Sequence, residues 1–232
     1  MVLIALLLIT RAQAWEQSVN PDGQETAWIA MPGPAAFDSS GAPDGLDDAA
    51  QERAIEDAFL AWNDVPGGDI AFSLTSPGTA GANPVRWERD WPWDSDILAM
   101  TSTWSDPTGA IYAFEVAINA RDPHWSLVGD RDGMDLQNAI AHEAGHALGL
   151  DHPADQPDAT MYATAMSGEQ LKRDLHWDDE DGIRALYPSG DGSMPTEIDV
   201  MELLGCTNVA ALPGLLPALA GIFALRRGRR TS

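Results

Sequence analysis

The stretch "AHEAGHALGLDHP", residues 141–153, holds three of the five histidines of this 232-residue chain. The wider segment "DLQNAIAHEAGHALG" (135–149) predicts a helix, with Asp135 as N-cap, an apolar face, and Gly149 as terminator. His142 and His146 are four residues apart, so both imidazoles leave the same helix face and can meet one ion from adjacent turns. Glu143 lies one residue round, beside the ion rather than on it. A third ligand needs a sharp turn, and Gly149, free to take a positive φ, permits one that brings back His152. Three neutral imidazole nitrogens leave the fourth position of a tetrahedral zinc to water, the arrangement of a catalytic site.

Working outward, "AAQERAIEDAFLAWN" (49–63) follows Asp48 and sets Ile55, Phe59 and Trp62 at helical spacing, with Ala54 and Ala58 widening the stripe. Strands are expected at "DIAFSL" (69–74), "DILAMTSTW" (96–104) and "AIYAFEVAIN" (110–119), the last two joined by the turn string "SDPTG". "PDGLDD" near 43 and "SPGTAGANP" near 76 read as loops. Strand, helix, strands, helix is an α+β order. There is no internal repeat.

At the histidines the chain resembles the metzincin metallopeptidases. That family places a methionine turn beneath its zinc, and "DATMYAT" puts Met161 nine residues past His152, an interval similar to the matrixins, the matrix metalloproteinase type. The serralysins are less similar: they carry a zinc-binding Tyr two residues after the Met, where this chain has Ala163, with Tyr162 one residue after. Astacin-like enzymes usually have Glu where Pro153 stands. "LHWDDEDGIRALYP" (175–188) resembles the matrixin C-terminal helix with its acidic pair, here Asp178 and Asp179, while "AFLAWNDVPGGDIAFSL" and "FEVAIN" resemble the first helix, the following strand and the edge strand. The likeness covers roughly residues 45–188. It implies a twisted, mostly parallel sheet with an antiparallel edge strand packed on two long helices, and a zinc endopeptidase. In that enzyme His142, His146 and His152 hold zinc, Glu143 is the general base, and "AIYAFEVAIN" aligns a peptide or protein substrate by strand addition.

Two departures stand out. Outside the motif only His124 and His176 remain, too few for a second zinc on three histidines, and the one cysteine, Cys206, follows the domain, which argues against a propeptide cysteine switch. Calcium is open: "GDRDGMD" gathers Asp130, Asp132 and Asp135 around Gly133, yet Asp135 is also the N-cap and acidic loops are common in so acidic a chain. The tryptophans of "WERDWPWD" suit either a cleft wall or buried packing.

The ends differ from the body. "MVLIALLLITRAQAWEQ" has an apolar run closed by Ala12-Gln13-Ala14, so residues 1–14 are expected as a signal peptide, although Arg11 sits on the wrong side of the run. The domain is placed at 15–189, with a linker over 190–205. In "GCTNVAALPGLLPALAGIFALRRGRR" an uncharged run from Val209 to Leu225 precedes an Arg cluster, which resembles bacterial C-terminal sorting signals and predicts a membrane anchor over 206–232 despite Pro213 and Pro217. Setting aside Arg11 and the four C-terminal arginines leaves 8 basic against 36 acidic residues, about −28, which excludes a nucleic-acid partner. The expected protein is an exported zinc endopeptidase at the cell envelope. The competing reading is a surface-anchored binding or adhesion module with a structural or vestigial metal site, against which the intact Glu143 argues.

Overall fold

The computed structural model describes residues 14–190 and 219–228. Strand β1 (Ala35–Asp38) leads through a 3-10 turn to helix α1 (Asp48–Leu60). Its N-cap is Asp47, whose carboxylate accepts the Ala50 N–H. Strands β2 (Leu74–Thr75), β3 (Asn83–Glu88), β4 (Ile97–Ser105) and β5 (Ala110–Asn119) follow, then helix α2 (Leu136–Ala147), strand β6 (Thr164–Ala165), helix α3 (Trp177–Leu186) and strand β7 (Leu219–Arg227).

The main sheet runs β6-β7-β4-β5-β3-β1-β2, with Ala27–Trp28 pairing to β5 off that path. β2, β1, β3 and β5 are mutually parallel and β4 is antiparallel to β5, an α+β fold with one antiparallel strand at the rim of the domain sheet. Ile55, Phe59 and Trp62 of the α1 segment, Val85, Phe114 and Val116 of the sheet, and Ala139, Ile140 and Ala144 of α2 share one core.

Three expectations are corrected. β4, not "AIYAFEVAIN", is the strand to which the C-terminal β7 adds and beyond which the domain's central strands end: β5 lies inside, hydrogen-bonded to β4 on one side and β3 on the other. "DIAFSL" contributes only Leu74 to a strand. Ile70 and Phe72 are buried as their apolar character predicts, but the Phe72 backbone is held by the Asn63 side chain, which accepts its N–H (2.7 Å) and donates to its carbonyl (2.9 Å) where a ladder partner would sit. β1 and β3 were not anticipated. β3 takes in the end of the presumed loop "SPGTAGANP" and the start of the tryptophan group; Trp87 is buried against Trp125 and donates to Gln51, and Trp91 is buried, so packing accounts for both.

Of the expected anchor, Leu219–Arg227 is a strand of the sheet, and no helix among the described residues is long and apolar enough to cross a membrane. The expected linker from residue 191, residues 206–218 with Cys206, residues 229–232 and the expected signal peptide up to residue 13 lie outside the described residues.

Candidate metal and active site

Helix α2 starts where Asp135 accepts the Asn138 N–H (2.9 Å) and ends at Leu148, after which Gly149 takes φ 89°. A side chain there would collide with the Thr26 carbonyl, so the reversal needs glycine twice over. His142 and His146 are fully buried and His152 comes back under them. Their three Nε2 atoms form a triangle with sides of 3.0, 3.0 and 3.1 Å.

Each buried ring is oriented from behind. His142 Nδ1–H donates to the Thr160 carbonyl (2.6 Å) and His146 Nδ1–H to the Leu150 carbonyl (2.8 Å), which fixes both tautomers with the Nε2 lone pair pointing inward. Burial, reinforced by the neighbouring imidazoles, holds both well below the usual histidine pKa; burial also lowers His152, opposed by Asp151. Inward lone pairs on neutral rings about 3 Å apart repel unless a cation lies between them. Zinc at about 2.0–2.1 Å from each nitrogen would separate them by roughly 3.3 Å, so the triangle fits one ion with a shift of a few tenths of an ångström. This is the one group of three or more His, Cys, Asp or Glu side chains among the described residues that is close enough to hold a metal.

Glu143 is fully buried beside the triangle. Its Oε2 accepts the Thr101 hydroxyl of β4 (2.5 Å) and its Oε1 accepts the backbone N–H of Leu225 from β7 (3.1 Å). Burial raises its pKa to about 8 against the pull of those bonds. Met161 is buried in a turn closed by Tyr162 N–H on the Ala159 carbonyl (3.1 Å). Asp179 pins that turn by accepting from Thr160 N–H (2.7 Å) and Met161 N–H (3.0 Å), and also takes His176 N–H (3.0 Å). The path from Asp179 through Thr160 to His142 therefore carries the orientation of one ring from α3. Gly145 is what lets the turn approach: a side chain there would strike Met161 Sδ and Trp62.

Sequence reasoning brought together His142, Glu143, His146, His152 and Met161. It missed Thr101, whose only signal is a hydroxyl in an apolar strand, and the packing duty of Gly145. Asp130, Asp132 and Asp135 do not converge. Asp135 is buried as the α2 cap and ion-paired to Arg173 (2.5 Å), and Asp130 accepts from Ser126 (3.0 Å). Tyr162 is half-buried under Lys172, and His176 caps α3.

The matrixin family model matches residues 36–188. Over 148 residues, 61% of the chain, the sequence is 33% identical to neutrophil collagenase of Homo sapiens, covering 30% of that protein. It is 31% identical over 140 residues to metalloendoproteinase 2-MMP of Arabidopsis thaliana, 56% of this chain and 35% of that one. It is 32% identical over 145 residues to karilysin of Tannerella forsythia, 59% of this chain and 28% of that one. The matched region thus spans about a third of the length of these relatives.

Proposed function

Because the chain belongs to the matrixin family, we propose that it is an exported zinc-dependent endopeptidase in which His142, His146 and His152 hold the metal and Glu143 moves the proton. The observation that carries this reading is the triangle of Nε2 atoms, two of its rings buried and the third half-buried, with a buried carboxylate that is not one of its members. A zinc bound there would supply Lewis-acid polarisation of the attacking water and the scissile carbonyl.

The chain's own residues do the rest. Glu143 accepts the proton of the attacking water and returns it to the leaving nitrogen, and a carboxylate that is not a member of the histidine triangle is free for both halves of that transfer. Thr101 fixes the carboxylate by its hydroxyl, leaving Oε1 for the substrate side. A peptide extended along the outer edge of β4 would be held by main-chain bonds, with side-chain preference set by the pockets beneath. Met161, pinned by Asp179, supports the triangle from below.

Export through residues 1–14, with the chain either attached at the envelope through 206–232 or released by processing of that segment, completes the reading. The signal is supported by the Ala12-Gln13-Ala14 site and by the surroundings of Trp15. Buried Asp178 accepts from Trp15 N (3.1 Å) and Ala14 N (3.3 Å), while its Oδ2 has no partner among the described residues. A mature chain beginning at Trp15 would bring an α-ammonium to that carboxylate, compensating its buried charge. The anchor rests on the uncharged run and the arginines after it.

Zinc content measured beside hydrolysis of a broad peptide library tests the enzymatic reading. About one zinc per chain with turnover is expected; stoichiometric zinc with no cleavage across the library would leave the binding-module reading standing. N-terminal sequencing of the exported chain should begin at Trp15.

A further inference from the structure

The outer edge of β4 is filled by this chain's own C-terminal segment. β7 runs antiparallel to β4 in register from Leu219 opposite Ser105 to Leu225 opposite Ala99, with a register shift between Leu225 and Arg226. Past that shift it is also gripped from the other side, parallel to β6: Arg226 N–H donates to the Ala163 carbonyl (3.0 Å) and Gly228 N–H to that of Ala165 (2.7 Å), while Arg227 N–H donates to Asp96 (2.6 Å). The segment lies between the rim of the sheet and the strand that follows the methionine turn.

Its placement along the cleft is specific. The Phe223 ring stacks on His146 at 4.7 Å and 17°. Two residues on, Leu225 is fully buried in continuity with the domain core, and its N–H is the one that Glu143 Oε1 accepts. Ala224, between them, carries the carbonyl of the peptide bond whose nitrogen faces Glu143. Charge agrees: Arg226, Arg227, Arg229 and Arg230 belong to this segment, and the body is strongly acidic. Arg227 and Gly228 border a cavity of about 630 Å³ whose other walls are Asp96, Arg131, Asp132, Met166 and Ser167.

We propose that the C-terminal segment is a substrate in cis and that the enzyme hydrolyses its own Ala224–Leu225 bond, an inference that rests on the peptidase reading. The nitrogen that must leave as an amine is the one already hydrogen-bonded to the proton-carrying carboxylate. Water oxygen adds to the Ala224 carbonyl carbon, one water proton passes by way of Glu143 to Leu225 nitrogen, and the C–N bond breaks. The products are a carboxylate ending at Ala224 and the peptide 225–232; no other reactant is needed.

The test uses the full chain, prepared without metal, then given zinc over a range of protein concentrations and followed by intact mass, with the peptide library run in parallel. Expected is first-order loss of the fragment beginning at Leu225 at a rate independent of protein concentration. The loss should be absent in Glu143→Ala and abolished at this bond in Leu225→Asp. Before zinc is added, hydrogen exchange at the amides of residues 225–228 should be slowed at least about tenfold relative to Leu225→Asp. A chain that cleaves the library yet keeps Ala224–Leu225 intact, cuts elsewhere in the segment, or cuts at a rate proportional to concentration overturns the proposal while leaving the peptidase reading in place. Exchange as fast as in Leu225→Asp overturns the placement itself. A zinc-loaded chain that cleaves neither library nor tail removes the peptidase reading and this proposal with it.

Discussion

Helices α1 and α2 are of similar length and pack against each other, yet they obey different rules. α1 buries Gln51, Ala54, Ile55, Ala58 and Phe59 and turns Glu52, Arg53, Glu56 and Asp57 to solvent, the pattern of a helix that serves only as a wall. α2 is buried on every side, with only Gln137 partly exposed. Inside that envelope sit Asn138, His142, Glu143 and His146, each of which needs a partner from another element: Lys172 N–H for Asn138, the Thr160 carbonyl for His142, Thr101 for Glu143, the Leu150 carbonyl for His146. A helix that keeps four polar side chains in a dry core at the cost of organising four other segments around them is built for chemistry, and the contrast should appear in how the two helices tolerate change.

The largest effect is expected at the centre of α2. His146→Ala removes a ligand, and zinc affinity should fall more than the roughly 10–100-fold typical of losing a supporting residue, taking peptide hydrolysis with it, as read by metal analysis after dialysis. Glu143→Ala should retain about one zinc per chain while turnover drops by roughly 10²–10⁴-fold; equal rates in variant and parent would remove Glu143 from the mechanism. Asp179→Ala strands three N–H groups, two of them buried, that converge on one carboxylate, so urea denaturation should show a loss of about 2–3 kcal/mol or more. Gly145→Ala drives a methyl into Met161 and Trp62 and should cost about 1–3 kcal/mol. At the far end of the scale, Glu56→Ala on the solvent face of α1 should stay within about 0.5 kcal/mol of the parent; a cost near that of Gly145→Ala would erase the distinction between the helices.

The site was legible where its parts are close in sequence. His142, Glu143, His146, Gly149 and His152 fall within eleven residues, and helical periodicity with one glycine turn is enough to assemble them. Met161 came from an interval rather than from local chemistry. The sheet was less legible because its pairing is non-local: "AAFD" is too short and alanine-rich to announce β1, and Asn83-Pro84 at the head of β3 reads as a loop although Pro84 occupies a position the sheet accepts. The strand over Leu219–Arg227 was not legible for a physical reason too. An uncharged run ahead of arginines satisfies a bilayer, and the same run satisfies the edge of a sheet whose neighbouring surface is acidic; composition does not separate the two.

The register between β4 and β7 has a consequence for the protein's behaviour in crowded solution. Ile97–Ser105 is a nine-residue strand, and with β7 withdrawn its outer row of amides and carbonyls stands open, a template on which any extended chain, including a neighbour's, can add. Uncovering the cleft and creating an adhesive border are thus one event. The acidic surface supplies the counterweight: two copies baring the same border repel before they meet, so low ionic strength favours dispersed molecules and high salt favours their clumping.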